Sequence, residues 1–371
     1  MQPLALYIHI PYCLEKCPYC DFHSVATPKS AIPEENYARI LIRQLEQFIP
    51  PQRELISIYF GGGTPSLMSP LFFERVLSAA AKHFLLRNPE VTVETNPATA
   101  GRKNFKRWRE LGINRVSFGT QSFQTALLKK LGRSHVVQDG LRAVRQAQAA
   151  GLANVNCDLI FGIEGQTLKM LEADLRTVLD LKIPHVSAYQ LTVEPNTPLA
   201  HWVQTGRTVL PAEKLLLPMH RLVSKRLEGA GLRRYEISNY ARPGFESVHN
   251  LQYWRSGDYL GLGSGAVSKI GGRRWKTTRK LKAYLEENFT PEEEEILDAK
   301  TAWKEKWMMG LRLTEGLPLD EKENGWEEFF ADWETEGWAQ RENGRIRLTD
   351  KGFMLASRLT QNVFEFINRV C

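Results

Sequence analysis

The chain has 371 residues, 43% of them hydrophobic, which is enough apolar material for one large domain and a smaller one, each with its own core. Lys and Arg number 49 against 42 Asp and Glu, a formal net charge of +7; this mild excess suits an anionic small ligand, an acidic partner, a membrane surface or nucleic acid and selects none of them. No apolar run approaches the roughly 20 residues of a membrane span and no signal-peptide pattern opens the chain, so a soluble cytoplasmic protein is expected.

The first predicted strand, LALYIHI at 4–10, runs directly into CLEKCPYC, which places Cys13, Cys17 and Cys20 in a CxxxCxxC loop. Thiolates are soft ligands for iron-sulfur clusters or zinc. Three on one short loop can hold three irons of a cubane and leave the fourth open to a second molecule. The ordinary alternative is a zinc ion completed by His9 or His23. Zinc sites more often pair two short knuckles, however, and Cys157 and Cys371 stand alone. Five cysteines, three of them crowded together, suit a reducing compartment better than disulfides.

Further strands are predicted at 55–60 (LISIYF), 91–95 (VTVET), 114–120 (NRVSFGT), 154–162 (NVNCDLIFG) and 185–193 (HVSAYQLTV). Helical periodicity fills the intervals at 34–48, 70–84, 103–111, 138–150 and 167–181. Six alternations of strand and helix argue for a parallel sheet covered by helices, and nearly continuous apolar strands fit burial on both faces. An open doubly wound sheet and a full or partial barrel satisfy the pattern equally. Unusual residues cluster where these strands end: FGGGTPS with Gly61, Gly62, Gly63 and Thr64 after the second, Glu94 in the third, Gln121 after the fourth and Asp158 in the fifth. Adjacent glycines let backbone approach a ligand, although a plain glycine turn explains them as well. Polar groups at four successive strand ends are natural for a ligand site at the mouth of a barrel.

The basic runs RKNFKRWR (102–109) and RRWKTTRKLK (273–282) are expected to be solvated faces. The acidic run PEEEEI (291–296) reads as a helix start after a linker, and a domain boundary is placed near it. Beyond about residue 300 come amphipathic helices at 301–313 and 325–335, then Asn343-Gly344 between two short alternating strands, a hairpin signal, and a final helix over 350–369. This resembles a winged helix. Its acidic residues Glu327, Glu328, Asp332, Glu334 and Glu336 argue against a phosphate-facing surface, so a cap or partner-docking domain is expected and nucleic acid is not.

CxxxCxxC with Tyr19 before its last cysteine resembles the cluster loop of the radical S-adenosylmethionine superfamily. YIHIPYC, GGGTPS, VETNP, GTQSF, LGRSH and DLIFGIEGQT, in that order, resemble one family within it, the oxygen-independent coproporphyrinogen III oxidases, over nearly the whole chain; IEGQT departs slightly, the family more often having Pro before this Gly. The resemblance implies an α/β fold, a partial (β/α)6 TIM-like barrel with a smaller C-terminal α+β, winged-helix-like domain, divided as 1–290, with a heme-handling extension, and 300–371. It implies a 4Fe-4S cluster on Cys13, Cys17 and Cys20, and contacts to one or two S-adenosylmethionine molecules from Tyr7, Tyr19, Gly62, Gly63, Thr64, Glu94, Gln121, Arg133 and Asp158. Two features point to the heme-chaperone branch of the HemW type. Phe22 stands where the enzyme branch carries a further cysteine, and HNLQYW at 249–254 resembles that branch's HNxxYW signature. His249, with Asn250, Tyr253 and Trp254, becomes the heme-binding candidate, since imidazole ligates heme iron and aromatic walls suit a flat porphyrin. The implied partners are heme, as cargo, and a heme-accepting protein, membrane-associated acceptors included. A true coproporphyrinogen III dehydrogenase is the alternative, and a nucleic-acid-modifying radical enzyme the third reading.

Overall fold

The computed structural model describes residues 3–48, 53–319 and 325–370; Cys371 lies outside them. Six parallel strands follow the alternation read from the sequence: β1 (Pro3–Ile10), β2 (Glu54–Gly62), β3 (Leu85–Thr95), β4 (Arg115–Gln121), β5 (Asn154–Phe161) and β6 (His185–Gln190). Each neighbours the next in the sheet. Between them run α1 (Glu34–Gln47), α2 (Pro70–His83), α3 (Arg102–Glu110), α4 (Val137–Ala149) and α5 (Leu168–Asp180). Local chemistry marks their starts: the Ser69 hydroxyl accepts from the Phe72 N–H with Pro70 at the first helical position, and the Thr167 hydroxyl accepts from Met170.

Strand alternation sorts the side chains. Ile8, Phe60 and Val93 point outward into the apolar layer beneath the helices, where Phe73, Phe105, Trp108 and Phe118 pack edge to face. The inner row is polar and aromatic. Tyr7 pairs with Tyr59, Glu94 with Ser117 and Asp158 with Ser187 across adjacent strands. Cys157 faces the outer core, fully buried, and has no part in the site.

The sheet extends past β6 through the short antiparallel strands β7 (Asn239–Ala241) and Arg233–Arg234, which follow the long helix α6 (Glu213–Gly229). On the other side β8 (Asp258–Leu262) pairs parallel to β1, and β9 (Val267–Ile270), β10 (Arg273–Thr277) and β11 (Pro291–Ile296) follow antiparallel. The acidic run is therefore a strand, not a helix start. Its glutamates meet the basic run across the ladder, Glu294 with Arg273, Glu295 with Arg274 and Glu293 with Lys276, and opposite charges directly across a strand pair favour that register. The helix begins later, at α8 (Ala299–Gly310), where the Asp298 carboxylate accepts from Thr301.

A short helix, α7 (Val248–Trp254), enters the barrel at the end opposite the cysteine loop. The buried Glu90 carboxylate accepts from the N–H groups of Val248 and His249 and from the Ser247 hydroxyl, a charge-assisted anchor at a helix N-terminus. The C-terminal portion has its own core around Trp307, Trp326, Phe330 and Ile367, with α9 (Trp326–Thr335), the hairpin 339–348 turning at Asn343 and Gly344, both at positive φ, and α10 (Ala356–Val370). It meets α7 through α8 and the Arg255–Glu315 ion pair.

Candidate functional site

The cysteine loop begins where β1 ends and is closed by a two-residue parallel pairing, Tyr12–Cys13 with Val25–Ala26. The Val25 N–H donates to Pro11 and that of Thr27 to Cys13. His9 holds it from behind. Burial pushes this imidazole down to about 4, so it is neutral, and its two nitrogens meet the Tyr7 hydroxyl at 3.0 Å and the His23 carbonyl at 2.7 Å. His23 in turn reaches the Ser264 hydroxyl at 3.0 Å. With both His9 nitrogens occupied, the zinc alternative loses one of its two candidate ligands.

The three thiols instead line one wall of a cavity of about 410 Å³, shared with Tyr19, Gly62, Gly63, Thr64, Glu94, Gln121, Arg133 and Asp158. This is within the roughly 300–1,000 Å³ usual for ligand cavities. Eight of the nine positions carried over for S-adenosylmethionine thus meet the cysteines in one place. Tyr7 does not. Its ring sits behind the wall, against Tyr59 and His249, with its hydroxyl on His9. Sequence reading also missed Asn96, Ser117, Tyr189, Gln190 and Glu194, which line the same cavity; Ser117 was legible in principle, since it stands opposite Glu94 on the inward row.

The glycine triplet is tightly packed. A Cβ at Gly61 would strike the Tyr7 and Tyr59 rings, one at Gly62 the His9 ring at 2.5 Å, and one at Gly63 the Tyr12 carbonyl at 2.6 Å. Gly62 also has φ +109°, which side chains disfavour. The N–H groups are spent inside the protein, Gly62 on Glu94, Gly63 on Ile10 and Thr64 on Tyr12. Close packing requires glycine at these positions, and this turn's N–H groups are engaged within the protein, while Gly62 and Gly63 line the cavity.

The cavity floor is acidic. The Glu94 carboxylate accepts from the Tyr59 hydroxyl at 2.8 Å and the Gly62 N–H at 3.1 Å, and burial, with Asp158 nearby, raises it to about 7. Burial also raises Asp158, which accepts from Asn156 at 2.7 Å. At the other wall the Arg133 guanidinium donates to the Cys17 sulfur at 3.4 Å and the Gly119 carbonyl at 2.9 Å, leaving its buried Nε without a partner. Gln121 holds φ +61°, a strained turn that sets its side chain at the rim. A carboxylate pair against three soft ligands and a guanidinium fits a zwitterionic cation bound beside a metal cluster. Phe22 is 57% exposed at the mouth.

His249 is elsewhere. It is buried inside the barrel on α7, with Nδ1 on the Ser57 hydroxyl at 2.9 Å and Nε2 on the Tyr253 hydroxyl at 3.0 Å. Tyr59 stacks on its ring at 4.7 Å, and burial pushes its pKa down to about 3. Asn250, Tyr253 and Trp254 are half-buried. None of the four lines the cavity.

A model of the Radical SAM superfamily matches residues 7–178 and one of the HemN C-terminal domain matches 297–355. The heme chaperone HemW of Lactococcus lactis is 36% identical over 98% of this chain and 97% of its own. That of Haemophilus influenzae is 40% identical over 87% and 86%. Among solved structures, the Escherichia coli coproporphyrinogen III oxidase HemN, described as a radical SAM enzyme, superposes with a TM-score of 0.82 over 98% of this chain and 91% of that one, at 21% identity.

Proposed function

The chain belongs to the radical S-adenosylmethionine superfamily and, within it, to the HemW family of heme chaperones, and from that premise we propose that it binds a 4Fe-4S cluster and S-adenosylmethionine and carries heme to an acceptor protein. The observation that carries the cofactor part is the meeting of Cys13, Cys17 and Cys20 with the strand-end carboxylates in one cavity. The three thiols would hold the cluster, which when bound supplies an electron source and an open coordination position. Arg133 steadies the loop through Cys17. Glu94 and Asp158 face the sulfonium charge, Tyr19 and Leu191 offer apolar surface to the adenine, and the carbonyl oxygens of the glycine turn are left to accept from an amino group. Tyr7 acts from behind, by orienting His9 and Tyr59.

In this reading residues 1–290 carry cofactor and cargo in the cytoplasm and residues 300–371 cap the barrel end that holds α7. Among the described residues no helix is long and apolar enough to cross a membrane, so membrane-associated acceptors would be reached by docking. His249 is the proposed heme ligand. Both its nitrogens are engaged, so ligation requires α7 to release it. Oxidative decarboxylation of coproporphyrinogen is the alternative; Phe22, apolar and exposed at the cavity mouth, disfavours it. The nucleic-acid reading rests on the positive balance and the possible wing, and several cations of the basic runs are ion-paired, Arg107 with Glu74 and Glu110, Arg273 with Glu294 and Arg274 with Glu295. Heme titration of anaerobic, cluster-reconstituted protein tests the reading: a saturable Soret shift that His249→Ala weakens is expected. Absence of heme binding, or conversion of coproporphyrinogen III to its decarboxylated product, would overturn it.

A further inference from the structure

A second cavity, of about 320 Å³, lies on the far side of the cysteine loop and shares Tyr19, Gly132 and Leu191 with the first. Its floor is apolar, formed by Leu131, Ile163, Leu191, Leu199 and Leu210, with the Trp202 indole as one flat wall. The rim is basic. The wall's one carboxylate, Glu164, is taken by Lys130 at 2.7 Å and by the Val209 N–H. Lys129 is exposed and, among the described residues, has no carboxylate within ion-pair distance; Arg207 is likewise unpaired and lies over Trp202 at 4.7 Å from the ring centre. The lining contains no imidazole, thiol or thioether.

An apolar slot with an indole wall and, at its mouth, Lys129 and Arg207, neither paired with a carboxylate, is complementary to a planar apolar body carrying carboxylates on one edge; Arg207, which lies over the Trp202 ring, would swing from it to meet a carboxylate. Resting on the heme-cargo reading, we infer that this slot takes the apolar edge of a porphyrin dicarboxylate, whose propionates meet Lys129 and Arg207. The volume is at the small end of the roughly 300–1,000 Å³ range of ligand cavities, which fits an inserted edge rather than an engulfed macrocycle and leaves the remainder open to an acceptor. With no imidazole, thiol or thioether in its lining, the slot reads the ring and its acids. It is therefore a separate contact from His249, placed against the back of the loop that carries the cysteines.

The test uses the full chain with its cluster reconstituted and iron-free protoporphyrin IX as probe, followed by the porphyrin's own fluorescence anisotropy. Saturable binding is expected, weakened about ten-fold or more by the surface charge reversals Lys129→Glu and Arg207→Glu together, since like charge replaces complementary charge at the rim. Protoporphyrin dimethyl ester should bind the native and reversed chains alike. Absence of saturable binding, or equal affinity of the native and reversed chains for the free acid, overturns the inference. Heme bound normally in that event leaves the cargo reading standing, whereas failure of the native chain to bind heme at all removes both.

Discussion

Glu94 offers the most exacting test of the site. Its carboxyl ordinarily titrates at 4.5 and here is raised to about 7, chiefly by burial. Below pH 4.5 it is protonated folded and unfolded alike. Between 4.5 and 7 the unfolded chain gives up the proton while the native state keeps it, so native stability falls as pH rises through this window and stays lowered above it. At about 1.36 kcal/mol per pH unit the full effect is about 3.4 kcal/mol. One face of the carboxyl meets water in the cavity, which screens part of it and leaves about 2–3 kcal/mol. Glu94→Gln removes the ionisation while its amide can still accept from Gly62 and donate to the Tyr59 oxygen. Urea denaturation of anaerobic preparations matched in iron content, run from pH 4 to 8, should show the parent losing stability relative to the variant by that amount. Asp158, Tyr59 and Arg115, the other groups facing Glu94, remain in both proteins, so the difference isolates the one carboxyl. The same proton sets the ligand: S-adenosylmethionine affinity should rise from pH 6 to 8 in the parent and be lower and flatter in the variant. Parallel stability curves would refute the assignment of a buried, proton-retaining Glu94.

Gly62→Ala should cost about 2 kcal/mol or more, since the new methyl meets the His9 ring at 2.5 Å at a φ of +109°; a chemical-denaturation loss below about 0.5 kcal/mol would show that the ring yields freely. Replacing Glu90 with Gln weakens the anchor of α7 and removes the carboxylate 3.8 Å from the buried Arg115, with an expected loss of about 3–5 kcal/mol in the same assay. If heme ligation requires His249 to leave the barrel, this variant should nonetheless bind heme more tightly, and equal or weaker heme binding would exclude that release.

The barrel was legible because two periodicities alternate cleanly from residue 4 to 190, and each predicted strand overlaps its observed counterpart, although β3 begins six residues earlier than read. β11 was not, because four consecutive glutamates carry no period of their own. Their partners stand some twenty residues earlier in sequence, in β10, so only the pairing turns them into a strand. The cysteine loop announced itself through local spacing. Tyr7 illustrates the opposite limit: one residue of alternation and a packed His9 decide whether its ring lines the cavity or supports it from behind. The glycine triplet was read as ligand-facing backbone, and three-dimensional crowding by Tyr7, His9 and Tyr12 shows why sequence alone cannot separate a cradle from close packing.

The HNxxYW segment brings these strands of argument together. In the sequence it is a cluster of heme-compatible side chains; in the fold it is the helix that closes the barrel, tied by three contacts to Glu90 and by the Ser57 hydroxyl, with the Tyr253 hydroxyl holding His249 within the helix. At about 1 kcal/mol net for each neutral bond and somewhat more for those to the carboxylate, releasing His249 costs several kcal/mol before any heme is gained. That cost lowers apparent heme affinity by the fraction of molecules already released. Tyr59 stacks on His249 and donates to Glu94, so the same movement disturbs the floor of the cofactor cavity. Cargo and cofactor are then linked through one phenol, and by reciprocity whatever heme does to S-adenosylmethionine affinity, S-adenosylmethionine does to heme affinity.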